Sequence, residues 1–171
     1  MESNAKKYAV IDDETSARSE VYGSEKLYDD KVSALAEAAY QWSHKTESEK
    51  AACNAFYVVY GEPDEDGCLM DGEVIWDAMD RQFKVSYSWT NNETVDCMHD
   101  TESSMDDNIS AFCPDAAADI AADYIYEKCC ETCDNVERSG EGTEVEIECY
   151  DEDGKRTEIY YNFKVEEVLP C

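Results

Sequence analysis

Residues 113–134, CPDAAADIAADYIYEKCCETCD, form the clearest helical segment of this sequence. Pro114 suits the first position of a helix, where its missing N–H is not needed. Five alanines between positions 116 and 122 add the highest helix propensity of any residue type. The pattern therefore predicts one helix over residues 114–134, and the rest of the chain is interpreted around it.

Acidic side chains recur at every fourth position of this helix: Asp115, Asp119, Asp123, Glu127 and Glu131. A rise of about 1.5 Å per residue puts these carboxylates roughly 6 Å apart along the axis. Like charges at this spacing destabilise a helix by roughly 0.2–0.5 kcal/mol per pair. Because four residues exceed one turn, the row winds around the helix. The row resembles the charge spacing of a nucleic-acid backbone, but for this helix taken alone an ordinary solvated face of an acidic protein is the preferred interpretation.

The composition of the chain is strongly acidic. Its 171 residues include 42 acidic against 14 basic residues, for a net charge of −28. Charge of this size repels nucleic acid and anionic membranes and favours basic partners. Direct binding to nucleic acid is therefore not expected, because affinity for phosphates requires Lys and Arg. A hydrophobic content of 43% is sufficient for a folded core.

The first ten residues, MESNAKKYAV, lack the apolar region of a secretory signal, and no apolar run approaches membrane-spanning length. We therefore expect a cytoplasmic protein whose nine cysteines are reduced. Cys130 and Cys133 have the spacing of zinc ligands, and Cys97 with His99 would complete a set of four. A single CxxC within a predicted helix is a weak signal, so we expect buried thiols, no metal and no cofactor.

Alternating and β-branched segments predict the strands. Residues 55–61 (AFYVVYG) are the strongest candidate, with a return strand at 73–76 after the turn at 62–67. Residues 83–89 alternate cleanly, which predicts a buried face made of Phe83, Val85, Tyr87 and Trp89. Residues 143–150 and 157–165 predict a final hairpin.

A second helix is predicted over residues 27–45, with a buried stripe through Val32, Leu35, Ala36, Ala39 and Trp42. The pattern Thr46-x-x-Glu49 resembles a capping box and predicts a short further helix through Cys53. Residues 91–110 are polar and carry six acids, which predicts a long functional or mobile loop. These elements indicate an α+β fold with a largely antiparallel sheet and two main helices.

The tetrapeptide DEDG occurs twice, at 64–67 and at 151–154, each time in the turn of a predicted hairpin that follows an Ala-rich helix. We predict a single compact domain over 1–171. The repeated tetrapeptide raises the alternative that this domain consists of two pseudo-repeated β-α-β-β halves, 1–80 and 81–171.

The final hairpin is predicted to present a second acidic face. Glu144, Glu146 and Glu148 share one side of their strand, at about 6.8 Å spacing. On the partner strand, alternation predicts four residues on the outer side, Glu158, Tyr160, Asn162 and Glu166, and four inward: Ile159, Tyr161, Phe163 and Val165. Such a face has few counter-charges, unlike the mixed-sign surfaces that avoid repulsion.

Catalysis has little support in the sequence. The two histidines, His44 and His99, have no nucleophile motif around them, and no glycine-rich phosphate loop or dinucleotide fingerprint occurs. We therefore do not expect an enzyme. A metal-dependent enzyme or a zinc-stabilised domain remains as an alternative.

The size, charge and acid spacing of the whole chain resemble the acidic inhibitors that phages and mobile elements carry, namely anti-CRISPR and anti-restriction proteins. The resemblance is to a class and rests on no diagnostic motif. It implies a nucleic-acid mimic that blocks a CRISPR effector such as Cas9, or a restriction enzyme, in the cytoplasm of a bacterial host cell. The candidate partner-binding residues are Asp115, Asp119, Asp123, Glu127, Glu131, Glu144, Glu146, Glu148, Asp151, Glu152, Asp153 and Tyr160. A second alternative is an acidic protein–protein interaction module that is not a mimic.

Overall fold

The computed structural model describes residues 5–13, 26–69, 71–91 and 101–170. Within these ranges the chain is α+β and its sheets are antiparallel, as the sequence predicts. The elements follow in the order β1 (Lys7–Asp13), α1 (Lys31–Ser43), α2 (Glu47–Ala52), β2 (Ala55–Gly61), β3 (Glu73–Asp77), β4 (Gln82–Asn91), β5 (Thr101–Ser104), β6 (Ile109–Ser110), α3 (Pro114–Thr132), β7 (Asn135–Ser139), a 3₁₀ turn (Gly142–Glu144), β8 (Glu146–Tyr150) and β9 (Arg156–Glu167). No helix among the described residues combines the length and apolar character needed to cross a bilayer.

The chain divides into two compact units, Met1–Asp80 with Leu169–Cys171 and Arg81–Val168. The first unit contains a three-stranded sheet in the order β1-β2-β3. Helix α1 contributes its buried side chains to a core shared with these strands: Ala34, Leu35, Ala38 and Trp42. The predicted stripe is wrong in part, because Val32 is 72% exposed and Ala36 is exposed as well. The buried face of α1 contains Leu35 and Trp42, and Val32 lies outside this face.

Both helices of the first unit begin at side-chain caps. Asp30 accepts a hydrogen bond from the backbone N–H of Ser33 at 2.8 Å, which fixes the start of α1. Thr46 accepts one from the N–H of Glu49 at 3.2 Å, which confirms the predicted cap of α2. The caps explain why α1 starts at Lys31 instead of at residue 27.

The second unit contains a sheet in the order β5-β4-β9-β8-β7, with the short β6 also paired to β4. Helix α3 packs on one face of this sheet through its buried alanines, Ile125 and Cys129. The facing strands contribute Phe83, Val85, Ile147, Cys149 and Phe163. Small alanines allow the helix to approach the sheet closely, and the prediction of one helix starting at Pro114 is confirmed.

The inward face of β9 differs from the prediction. Phe163 is buried, as expected, but Tyr160 lies opposite Ile147 and therefore also faces α3. The register between β4 and β9 shifts between Ser86 and Ser88, opposite Asn162, whose φ is 55°. One extra residue in a strand reverses the alternation of side chains on either side of it. Asn162 therefore turns the preceding residues over, so Tyr160 is inward and Ile159 and Tyr161 are outward.

The polar stretch 91–110 is partly regular. Thr101–Ser104 pairs with β4 as an edge strand, and Ile109–Ser110 pairs with the start of β4. The prediction of one long loop is therefore wrong for these residues. Their backbones pair with β4, so they form strands although their side chains are polar. Residues 92–100 lie outside the described part of the chain.

The two DEDG turns have the same local structure. In each turn the first aspartate accepts two backbone N–H bonds: Asp64 from Asp66 and Cys68, and Asp151 from Asp153 and Lys155. In each, the glycine has a positive φ, 81° at Gly67 and 76° at Gly154. The strands around the turns are ordered differently, because β1 pairs with β2 whereas β4 pairs with β9. The likeness of the halves is therefore established here for the turn alone.

Candidate partner-binding surface

The first half of the acidic row on α3 contacts the protein itself. Arg138 of β7 pairs with Asp119, at 3.1 Å, and with Asp123. Asp119 also accepts the N–H of Gly142 at 2.9 Å, and Asp115 accepts that of Thr143 at 3.4 Å. These contacts hold the segment that precedes β8 against the helix. The spacing of these acids thus has a structural role that the sequence interpretation did not include.

The second half of the row is exposed to solvent. Glu127 and Glu131 are both exposed, and Glu127 makes no ion pair with any residue that the structure describes. The neighbouring Lys128 lies over the ring of Tyr124, 4.7 Å from its centroid. Negative charge in this part of the helix is therefore available to a partner.

The acids of the final hairpin lie on the other side of the sheet. Ile147 and Cys149 are buried beneath α3, so the alternating Glu146 and Glu148 point away from the helix. Glu144 is exposed but belongs to the 3₁₀ turn, so the predicted three-residue face on one strand is wrong at this position. Glu148 is half-buried and lies 3.6 Å from Arg156. Its hydrogen bond from the Tyr150 hydroxyl, at 2.6 Å, raises the pKa of that tyrosine.

The remaining candidates lie at the tip of the β8–β9 hairpin and at the half-buried Tyr160. Glu152 and Asp153 are exposed at the tip of the β8–β9 hairpin, whereas Asp151 is occupied by the turn. Tyr160 stacks on Trp89 on the α3 side and donates a hydrogen bond to Glu158 at 2.8 Å. Burial, followed by this hydrogen bond, raises the pKa of Tyr160. The prediction of Tyr160 as an outward-facing anchor is wrong, because Asn162 reverses its side of the strand.

The acids meet at the edge strand β7. Asp123 and Glu127, both on α3, lie on one side of this strand. On the opposite side, Glu137 of β7 lies directly across from Glu148, and Glu146 lies across from Ser139. We call these five residues the acidic rim: Asp123, Glu127, Glu137, Glu146 and Glu148. The structure thus places four acids predicted on two separate elements, together with Glu137, along the two sides of one edge strand.

Sequence reasoning missed Arg138 and Glu137. A signal for Arg138 was present, since it is the single basic residue between Lys128 and Lys155. A lone cation in such an acidic segment is expected to pair with carboxylates and to organise them. Glu137 had no comparable signal, because β7 was not predicted as a strand.

Two buried thiols and a carboxylate converge below the end of α3. The ligand atoms of Cys129, Cys149 and Glu158 lie within 4.8 Å of one another, and both thiols are buried. Cys133, at the C-cap of α3, packs against the same core. Burial raises the pKa of both the Cys129 and the Cys149 thiols. The set predicted from the sequence stays a prediction, because residues 97 and 99 lie outside the described part of the chain; of its other two members, Cys130 is exposed and Cys133 is half-buried.

Comparison with protein-family models, with curated proteins and with solved structures found no match to this chain. Its function is therefore argued from the charges and contacts described above.

Proposed function

We propose that this protein is an acidic inhibitor that mimics nucleic acid. It acts in the cytoplasm of a bacterial host cell and occupies the basic groove of a defence nuclease, either a CRISPR effector or a restriction enzyme. The observation that carries the proposal is the acidic rim, in which carboxylates lie on both sides of the edge strand β7, four of them exposed and Glu148 half-buried.

The rim offers charge in two rows. Carboxylates four residues apart on α3 are roughly 6 Å apart along the axis, and those two apart on β8 are about 6.8 Å apart. A duplex likewise presents its charge as two backbones separated by a groove. Arg138 and Arg156, which pair with Asp123 and Glu148, neutralise part of the charge in each row. Glu127, Glu137 and Glu146 make no ion pair with described residues.

A rigid scaffold supports this use of charge. Asp119 and Asp123 fix α3 to β7 through Arg138, and the buried alanines fix α3 to the sheet. Acids held in place lose less freedom on binding than acids on a flexible tail, so more of their attraction appears as affinity. Opposite charge on the partner speeds the encounter and makes it sensitive to salt.

The first test is competitive capture. Immobilised protein is incubated with bacterial lysate at low salt, and bound proteins are eluted with duplex DNA, with guide-like RNA or with salt. We expect a nuclease to be released by nucleic acid and to be lost as salt rises. A partner that resists both nucleic acid and salt contradicts mimicry and favours an acidic interaction module that is not a mimic.

The second test compares two triple variants with the same change of charge. E127Q/E137Q/E146Q neutralises three rim acids, and E49Q/E65Q/E73Q neutralises three exposed acids of the first unit. We expect the rim variant to bind the captured nuclease about tenfold more weakly, equivalent to about 1.4 kcal/mol. The control variant is expected to change affinity by less than about threefold. Equal losses in both variants show that net charge, not the rim, drives binding and overturn the proposed surface.

A further inference from the structure

We propose that the end of α3 and the β8–β9 hairpin form a zinc site in which Cys129, Cys133, Cys149 and Glu158 are the ligands. The site is independent of the acidic rim and of the proposed inhibition. It also differs from the absence of a metal that the sequence favoured.

The three ligands whose atoms converge come from three different elements. Cys129 lies on α3, Cys149 on β8 and Glu158 on β9, and their ligand atoms lie within 4.8 Å of one another. The register of the hairpin explains part of this convergence, because Cys149 and Glu158 are directly opposite each other. Opposed residues on antiparallel strands place their side chains on the same face, about 5 Å apart.

Cys133 is the proposed fourth ligand; its sulfur lies outside the group of three ligand atoms that are within 4.8 Å of one another, so it has to move towards them when the ion binds. It follows Cys129 by four residues, at the C-cap of α3, so both thiols project from the same side of the helix end. Cys133 packs against the core that contains Cys149. The spacing Cys-x-x-x-Cys lies within the range of structural zinc sites. Three thiolates and one carboxylate then complete a tetrahedral set.

Glu158 is already oriented for such a role. The hydroxyl of Tyr160 donates a hydrogen bond to one of its carboxylate oxygens at 2.8 Å, which leaves the other oxygen for the metal. Ligating carboxylates are commonly fixed by hydrogen bonds of this kind. The bulge at Asn162 is what places both Glu158 and Tyr160 on the side of the thiols.

A route from solvent reaches these groups. A cavity of about 480 Å³ is lined by Tyr87, Tyr124, Lys128, Cys129, Glu158 and Tyr160. An ion therefore has access to Cys129 and Glu158 without unfolding of the core. Soft thiolate ligands favour Zn²⁺ over the hard cations Mg²⁺ and Ca²⁺. Binding releases the thiol protons to solvent and joins the end of the helix to the hairpin.

The alternative use of these thiols is simple packing, since free cysteine behaves as a small buried apolar residue. Packing explains why Cys129 and Cys149 are buried, but it does not require a carboxylate beside them. Placing Glu158 within 4.8 Å of two thiols adds a ligand that apolar packing would disfavour.

The test uses Co²⁺ as a spectroscopic probe and Zn²⁺ as the competitor. Full-length protein is reduced, treated with chelator, freed of both reagents and titrated with Co²⁺. We expect one equivalent to bind per chain, with a thiolate-to-cobalt charge-transfer band and intense d–d bands that report tetrahedral geometry. One equivalent of Zn²⁺ should abolish both bands. Cobalt binding without the charge-transfer band shows that surface carboxylates hold the ion and overturns the proposal.

Variants separate the proposed ligands from their neighbours. Cys149→Ser should reduce cobalt affinity at least 100-fold, whereas Cys130→Ser changes an exposed thiol next to Cys129 and should leave the titration unchanged. Tyr160→Phe keeps the ring but removes the hydroxyl that orients Glu158, so we expect affinity to fall by roughly 10–100-fold. Glu158→Gln, which preserves shape, provides a ligand variant expected to remain folded, and circular dichroism checks each variant.

Two outcomes contradict the site. If the parent protein and Glu158→Gln bind Co²⁺ with equal affinity, the Glu158 carboxylate is not a ligand. A disulfide between Cys129 and Cys149, detected by mass spectrometry in protein alkylated during extraction from cells, shows that the thiols serve a covalent bond instead.

Discussion

The two units contain the same turn but order their strands differently. In the first unit the hairpin β2–β3 places its first strand beside β1, whereas in the second unit the hairpin β8–β9 places its second strand beside β4. The DEDG turns between these strands form the same hydrogen bonds to Asp64 and Asp151. The hydrogen bonds of the turn thus depend only on the local sequence, whereas the order of the strands does not follow from the turn.

The difference follows from the character of the hairpin arms. The inner strand β2 is the longer and more apolar arm of its hairpin, with Phe56, Val58 and Val59 buried. In the second unit the longer arm is β9, with 12 residues against five in β8. A central strand pairs along both of its edges and so benefits from length, while edge strands tolerate short polar sequences. In each unit the longer arm of the hairpin is the one that lies in the middle.

The largest effect is expected from truncating the central strands. Phe56 of β2 and Phe163 of β9 are both buried, at 0% and 3% exposure. Because both lie in a helix–sheet core, Phe56→Ala and Phe163→Ala should each lower the free energy of unfolding by about 3–5 kcal/mol. Urea denaturation followed by circular dichroism measures both changes.

Val74 of the edge strand β3 provides the control for this comparison. It is 51% exposed, so Val74→Ala should cost less than about 1 kcal/mol. If Val74→Ala proves as costly as Phe56→Ala, the division into central and edge arms is wrong for the first unit.

Much of the fold follows from local sequence signals. Helix α3 was predicted from Pro114 and its alanines, and the capping pattern at Thr46 fixed the start of α2. The strand at 55–61 was predicted with its bounds because aromatic and β-branched residues are uninterrupted there. The order of the strands was not predicted, since periodicity identifies buried faces but not neighbours.

The candidate site was less accessible to sequence reasoning. Asn162 reverses the side of Glu158 and Tyr160, and nothing in strict alternation marks the residue where a strand takes an extra position. The pairing of Asp119 with Arg138 likewise depends on where β7 lies. The convergence of Cys129 with Cys149 joins a helix end to a strand, which spacing along the chain cannot show.

A smaller effect is expected at the two turns, and it should be equal in both. Gly67 and Gly154 have positive φ, and a Cβ at either position would contact no atom within 4 Å. The cost of Gly67→Ala or Gly154→Ala is therefore conformational, roughly 1–2 kcal/mol. Thermal denaturation of both variants tests this equality. Costs that differ by more than about 1 kcal/mol would show that the turns are alike in hydrogen bonding but not in energy.

The smallest effect is expected at Asn162, where β9 departs from regular alternation. Its φ of 55° lies in the left-handed region, which asparagine tolerates better than alanine does. Asn162→Ala should therefore cost about 0.5–1 kcal/mol, whereas Asn162→Gly should be neutral within about 0.5 kcal/mol. Both values are measured by urea denaturation. The reverse order, with alanine tolerated and glycine costly, would contradict the bulge and with it the inward placement of Glu158 and Tyr160. The bulge thus connects the side-chain alternation of β9 to the proposed zinc site, because a β9 without the bulge would turn Glu158 away from Cys129 and Cys149.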